Sequence, residues 1–169
     1  LDGTMYYSDQ GTIALATWDG SSQSWIQGNA NFLSDELLAY SSPSWLIDEE
    51  SLTLIYAVEQ DDEWWFASAD YDEAGNLTAN ASPILLPEGN ERISEPFVVQ
   101  ENIVGQWRLF YSVYDGSTWH IGQHRSPDTD SWFPASEFSV PGIDVAAPVV
   151  SEEVDRFRMW YARGENGVW

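Results

Sequence analysis

One glutamate has a sequence setting that suits acid chemistry. Glu95 stands directly before Pro96 at the start of an apolar stretch, and Arg92 lies three residues earlier. A carboxylate beside a channel or cleft can act as a general acid or stabilise a positively charged transition state. The alternative is a solvated carboxylate that forms an ion pair with Arg92. We take Glu95 as the first candidate catalytic residue and Arg92 as a candidate substrate-binding residue.

A second acid and three further side chains complete the set of candidates. Asp144 precedes another apolar stretch and is the second candidate catalytic carboxylate. Trp45 lies within a predicted strand, where its face can stack on a sugar ring or fill the space between packed sheets. His120 and His124 are four residues apart on one predicted strand, so both point to the same face. We predict that Trp45, His120 and His124 contact substrate.

No metal site is predicted from these residues. Two histidines without a third ligand at a telling distance are a weak signal for zinc. Clustered acids, such as those at 61–63, suit a hard cation like Ca²⁺, but no segment has the ligand spacing of a calcium-binding loop. We therefore predict no cofactor, with Ca²⁺ as the alternative.

The charge balance excludes several classes of partner. The 169 residues include 28 acids against six basic residues, all arginine, and the formal net charge is −22. Such a surface repels phosphate backbones and anionic lipids, so we expect neither nucleic-acid nor membrane binding. The absence of cysteine excludes disulfides, a thiolate zinc site and a cysteine nucleophile. With 10 Trp, 8 Tyr and 7 Phe, the chain is too aromatic for an acidic disordered protein.

Internal repeats indicate how the chain is organised. A tyrosine that ends an apolar run recurs every 49 to 55 residues, at Tyr7, Tyr56, Tyr111 and Tyr161. A proline that precedes an apolar run recurs at intervals of 53 and 52 residues, at Pro43, Pro96 and Pro148. Because independent markers share one period, the sequence predicts structural repetition.

Each repeat reads as short strands separated by turns. The third unit is the clearest, because a hairpin turn at 115–116 separates two strand-like runs. No segment keeps a helical period for more than a turn or two, so the sequence predicts an all-β fold. Four-stranded units of roughly 52 residues are typical of β-propeller blades, and a β-sandwich is the alternative. The predicted single domain, residues 1–169, has repeat units at about 1–42, 43–95, 96–147 and 148–169.

The register of the repeats predicts an incomplete ring. The chain begins at the second strand of one unit and stops at the third strand of the fourth, so it carries about three blades. A closed propeller usually takes at least about four blades. We expect either that further blades are missing or that copies of the chain form a homo-oligomer that completes a ring.

Three aspartates recur once per unit at the end of a strand, namely Asp19, Asp70 and Asp128. Each follows a serine or threonine by two residues, a setting that resembles the Asp-box of sialidase-like propellers. In that motif the aspartate accepts hydrogen bonds from backbone amides of a turn. We predict a structural role for all three.

Two longer stretches carry a resemblance to a known group of enzymes. Residues 94–112 contain Ser-Glu-Pro-Phe-Val-Val and Trp-Arg-Leu-Phe-Tyr-Ser, and residues 148–162 repeat the pattern. They resemble the five-bladed β-propeller glycosidases, the arabinanase, xylosidase, levansucrase and invertase group that includes glycoside hydrolase family 43. The resemblance implies a general base, a stabilising aspartate and a general acid on the inner strands of successive blades. Glu95 alone matches, because Ser42 and Ala147 stand at the corresponding positions.

Two functional hypotheses follow. The first is a glycoside hydrolase-like propeller of furanosidase type that binds or hydrolyses polysaccharide, with Glu95 and Asp144 as acid/base residues. The alternative is a non-catalytic propeller module that binds glycan or builds an assembly. Carbohydrate is the expected partner, and we favour an extracellular or periplasmic location.

Overall fold

The fold is built from antiparallel strands. The computed structural model describes residues 4–28, 32, 38–47, 52–71, 77–80, 82–89, 91–101, 105–154, 156–165 and 169. The strands are β1 (Thr4–Asp9), β2 (Thr12–Asp19), β3 (Ser24–Gln27), β4 (Ala39–Ile47), β5 (Leu52–Gln60), β6 (Glu63–Tyr71), β7 (Leu77–Ala79), β8 (Arg92–Glu101), β9 (Gln106–Tyr114), β10 (Trp119–Ser126), β11 (Phe133–Pro134), β12 (Asp144–Glu152) and β13 (Phe157–Gly164). In these ranges there is no helix, and hence none that is long and apolar enough to cross a membrane.

The strands form four sheets in chain order. We call them the first blade (β1–β3), the second blade (β4–β7), the third blade (β8–β11) and the fourth blade (β12–β13). The inner strands β4, β8 and β12 contact one another in succession, and the first blade contacts β4. The two-residue turn after β1 matches the turn after β5, so β1 is a second strand of its blade, as the repeat register predicts. The predicted all-β propeller is confirmed, and the second and third blades have the predicted four strands.

The four blades do not close into a ring. Within the described part of the chain, no contact joins the first blade to the fourth. Large apolar side chains are exposed on these two end blades, including Trp18, Trp25, Ile26, Val149 and Trp160. The predicted incomplete ring is therefore confirmed.

Among the described residues, three hydrophobic clusters lie between neighbouring blades. Ile13 and Tyr56 belong to the cluster between the first and second blades. Phe66 and Leu109 belong to the cluster between the second and third. The next residue along β9, Phe110, enters the cluster between the third and fourth. The second strands of the complete blades, β5 and β9, are thus buried on both faces. Their sequences are therefore continuous apolar runs and do not alternate.

The inner strands share one irregularity. Proline is the fifth residue of β4, β8 and β12, and the strand register shifts just before it. The residues that precede these prolines, Ser42, Glu95 and Ala147, have φ angles of 53°, 55° and 51°. The sequence places the start of each inner strand at its proline. In the structure the strands begin four residues earlier. A bulge explains this, because it lets a residue without an N–H sit inside a strand.

Serine hydroxyls from the preceding blade hold two of these bulges. On β1, Ser8 Oγ accepts the N–H of Ser42 at 2.6 Å. On β9, Ser112 Oγ accepts the N–H of Ala147 at 2.8 Å. Both serines follow a repeated tyrosine, whereas the second unit has Ala57 at this position. A left-handed backbone before proline is unfavourable for these residue types, so bonds between blades help to maintain it.

Candidate functional site

The inner strands all begin at one end of the molecule. Cross-strand pairing places Ala39 beside Glu59 and Arg92 beside Tyr114. The first residues of β4 and β8 therefore lie next to the ends of β5 and β9 and to the hairpin turns that follow them. We call this end of the molecule the mouth.

Glu95 lies in the β8 bulge, three residues from the start of the strand at the mouth. Its Oε2 accepts the hydroxyl of Ser112 at 2.5 Å and the backbone N–H of Ala147 at 2.9 Å. Ser112 has no exposed surface. Two donors on one oxygen fix the orientation of the partly buried carboxylate, and among the described residues no hydrogen bond is made to Oε1.

A cleft of about 370 Å³ opens beside Glu95 between the third and fourth blades. Trp119 and Trp169 contribute aromatic rings whose centroids lie 6.4 Å apart at an interplanar angle of 75°. The remaining lining residues are small: Ser94, Ala146, Ala147 and Ala162. Aromatic surface next to one hydrogen-bond acceptor suits the apolar face and the hydroxyls of a sugar ring. We call this space the Glu95 cleft.

Asp144 supports the wall of the Glu95 cleft. It is the first residue of β12, and its Oδ1 accepts the backbone N–H of Trp119 at 2.9 Å. Asp144 itself is not among the lining residues. The structure therefore connects the second candidate acid to the cleft through Trp119.

Arg92 and Trp45 lie outside the Glu95 cleft. The Arg92 guanidinium is 3.7 Å from the Asp62 carboxylate, and both side chains are exposed, so this ion pair adds little stability. The ring of Trp45 makes edge-to-face contacts with Tyr6 and Tyr71. These contacts belong to the cluster between the first and second blades, which supports the packing interpretation of Trp45.

His120 and His124 lie on β10, also outside the Glu95 cleft. His124 Nδ1 is 3.0 Å from the Tyr111 hydroxyl. The ring of Tyr111 lies over Gly122, where an added Cβ would come within 2.5 Å of Cζ. His120 Nε2 is 3.9 Å from a carboxylate oxygen of Glu137. The structure gives both histidines protein partners within or next to the third blade.

Three carboxylates line the same small cavity as the His124 side chain. His124 and Tyr111 border a cavity of about 100 Å³ together with Glu88, Glu91 and Glu137. Burial lowers the pKa of His124, and the charge of Glu88 opposes this shift. Burial also raises the pKa of Tyr111, as do the three glutamates, so the phenol remains a hydrogen-bond donor or acceptor at ordinary pH.

We expect His124 to make the fold sensitive to acid. Because its pKa in the folded chain is below the usual 6.5, the unfolded chain binds more protons between the two values. Stability should therefore fall as the pH drops from 6.5 through the folded pKa. His124→Gln should flatten this part of the slope. Chemical unfolding at about pH 7.5 and about pH 5.5 measures it, and an unchanged slope in the variant would contradict the role of His124.

Asp19 and Asp128 accept hydrogen bonds from their own turns, as predicted, and the turn that follows Asp70 lies outside the described residues. Asp19 accepts the backbone N–H groups of Ser21 at 2.9 Å and Ser22 at 3.2 Å. Asp128 accepts the N–H of Ser131 at 2.9 Å. Hydrogen bonding, chiefly from the Ser22 hydroxyl and the Ser131 amide respectively, holds the pKa of both carboxyls below its usual range.

A calcium site is supported by composition alone. Within the described ranges, no group of three or more histidine and acidic side chains is arranged to hold a metal ion.

The sequence did not identify three residues of the site. Trp119 and Trp169 follow a repeated tyrosine by eight residues, which indicated packing within blades. Ser112 gave no signal of its own. The recurrence of serine after tyrosine at Ser8 was the one feature that could have pointed to it.

Solved structures with a similar fold are glycoside hydrolases. A thermostable family-43 glycoside hydrolase has a TM-score of 0.71 at 16% identity, covering 95% of this chain and 61% of that one. A fructofuranosidase from Schwanniomyces occidentalis complexed with fructose has a TM-score of 0.71 at 17% identity, covering 92% and 36%. A family-43 endo-arabinanase from Bacillus licheniformis has a TM-score of 0.66 at 14% identity, covering 97% and 69%. No protein-family model and no curated protein matches the sequence.

These comparisons concern the fold. This chain spans 61% of the first structure and 36% of the second, less than two thirds of each. The expected resemblance to propeller glycosidases is confirmed at that level. The chain has the β-propeller fold of these glycoside hydrolases, and its described blades form an open part of such a ring.

Proposed function

We propose that the chain binds polysaccharide in the Glu95 cleft. The observation that carries the proposal is a fixed carboxylate beside two tryptophan rings at the mouth of a propeller. The rings of Trp119 and Trp169 contact the apolar face of a sugar residue, and Glu95 Oε1 accepts one of its hydroxyls.

Furanose-containing chains are the substrate class that we propose. Two of the similar structures are an endo-arabinanase and a fructofuranosidase complexed with fructose. Both share the propeller fold of this chain, so arabinan and fructan are the first polysaccharides to test. The lining carboxylate and the net charge of −22 disfavour acidic polysaccharides, so the bound chain is neutral.

Hydrolysis of the bound chain is the second candidate function, and the shared fold with glycoside hydrolases favours it. In that reaction Glu95 protonates the leaving oxygen while a second carboxylate removes a proton from the attacking water. An inverting pair is separated by roughly 6.5–9.5 Å. Among the described lining residues Glu95 is the one acid, and Asp144, the sequence candidate for the second, holds Trp119 from outside the lining.

Electrophoresis in native gels that contain polysaccharide tests the binding proposal. Arabinan or a fructan such as inulin should retard the chain, and dextran, a neutral polymer of pyranose rings, is the control. Equal migration in all gels would refute the proposal. Release of reducing sugar in the same mixtures, lost in Glu95→Gln, separates a hydrolase from a binding module.

We also propose that a partner completes the ring. The exposed apolar side chains of the first and fourth blades, such as Trp25 at 45% and Trp160 at 53% exposure, support it. Such faces favour either additional blades or a second copy of the chain. The solution mass distinguishes the two, because a defined oligomer of this chain requires the second copy.

A further inference from the structure

We propose that a polar groove at the end opposite the mouth is a second carbohydrate-binding site. The groove has a volume of about 480 Å³ and lies between the second and third blades. Thr53 and Asp70 stand opposite each other near the start of β5 and the end of β6, far from the β5–β6 turn. We call it the Asp70 groove. That its ligand is a neutral sugar rests on the proposed function. The groove itself does not include Glu95.

Asp70 is the centre of a hydrogen-bond network in this groove. Its Oδ1 accepts the hydroxyl of Thr53 at 2.8 Å, and its Oδ2 accepts the side-chain amide of Asn80 at 3.3 Å. The same amide donates to Ser68 Oγ at 2.8 Å. Ser68 is buried, whereas Asp70 and Asn80 are exposed. The exposed carboxylate and amide are therefore held in position by partners on the blade, as a preorganised binding site requires.

Among the described residues, Asp70 differs from the equivalent aspartates in its cross-strand partners. Asp19 and Asp128 accept hydrogen bonds from their own turns and, for Asp128, from the strand end directly before it. Asp70 has side-chain partners on β5 and directly after β7. The Asp70 carboxylate is therefore held from two neighbouring segments of its blade at this point of the groove.

The third blade supplies the opposite wall of the groove. Thr129 and Asp130 come from the turn after β10, and Leu46, Ile55 and Ile84 add aliphatic surface. Hydroxyl, amide and carboxylate groups next to aliphatic carbons match a sugar ring, whose hydroxyls both donate and accept and whose C–H face is apolar. Two carboxylates, with no cationic side chain among the described lining residues, disfavour an anionic ligand.

An NMR titration tests the Asp70 groove. We expect short arabinan-derived or fructan-derived oligosaccharides to shift the backbone amide signals of Thr53, Ser68 and Thr129. In Asn80→Ala the same shifts should need roughly three- to tenfold more sugar, which corresponds to one neutral hydrogen bond. Gln27→Ala removes an exposed amide from the first blade and is the matched control, with wild-type affinity expected.

The outcomes distinguish this site from the Glu95 cleft. Glu95→Gln should leave the shifts in the Asp70 groove unchanged. If the groove signals do not shift while the signal of Trp119 does, the groove proposal is refuted and the proposed function stands. If no signal shifts at either site, both proposals are refuted. Shifts produced at Thr53 and Thr129 by Ca²⁺ alone, and not by sugar, would make the groove a cation site and overturn the assignment.

Discussion

Glu95→Gln is expected to weaken binding of arabinan or fructan oligosaccharides roughly 10- to 100-fold, the loss of a hydrogen bond to a charged acceptor. Any hydrolysis should fall by roughly 100-fold or more, the usual effect of removing an acid/base group. The fold should survive, because glutamine retains an oxygen that can accept from Ser112 and Ala147. Isothermal titration measures the affinity, and thermal unfolding confirms that the variant is folded.

The control for this variant is another acid at the mouth. Glu59 is the penultimate residue of β5 and lines neither the Glu95 cleft nor the Asp70 groove. Glu59→Gln removes the same charge from the same end of the molecule and should leave the affinity unchanged. Equal effects of the two variants would mean that overall charge, and not the Glu95 cleft, governs binding.

Leu109→Ala is expected to lower the free energy of unfolding by about 2–5 kcal/mol, the usual range for a buried leucine. Leu109 has no exposed surface and packs between the second and third blades. It stands opposite Val98 on the inner strand β8, so its removal leaves a cavity beneath the strand that carries Glu95. Urea unfolding measures the change.

Val149→Ala provides the comparison for the packing prediction. Val149 is also apolar and also on a strand, but 51% of its surface is exposed on the fourth blade. Its truncation should change stability by no more than about 0.5 kcal/mol. Similar losses in both variants would show that the clusters between blades do not dominate stability, or that the fourth blade is covered in solution.

The repeat predicted the fold because each marker has a structural cause. The recurring tyrosines lie on second strands that are buried on both faces in complete blades, and the recurring prolines lie on inner strands. Such positions tolerate few residue types, so they leave a period in the sequence. The bulges left no comparable signal, because Ser42, Glu95 and Ala147 share a backbone conformation and not a residue type.

The site was less accessible from the sequence because its contacts cross between blades. Glu95 could be selected, since it is the acid among three equivalent positions. The role of Ser112 depends on the amide of Ala147, which belongs to the next blade. The sequence favoured Trp45 as the sugar platform, whereas the recurrence of Trp119 favoured packing. The packing of Trp45 against Tyr6 and the position of Trp119 beside Glu95 reverse this preference.

The most direct test of the central claim is a ¹H–¹⁵N NMR titration of the tryptophan indole groups with arabinan and fructan oligosaccharides. Trp119→Phe assigns one signal, and Trp169→Phe assigns the other. If the Glu95 cleft binds sugar, these two signals should shift together and saturate, while the signal of Trp45 stays in place between the first and second blades. Shifts confined to other tryptophans, or no shifts at saturating sugar, would contradict binding in the Glu95 cleft.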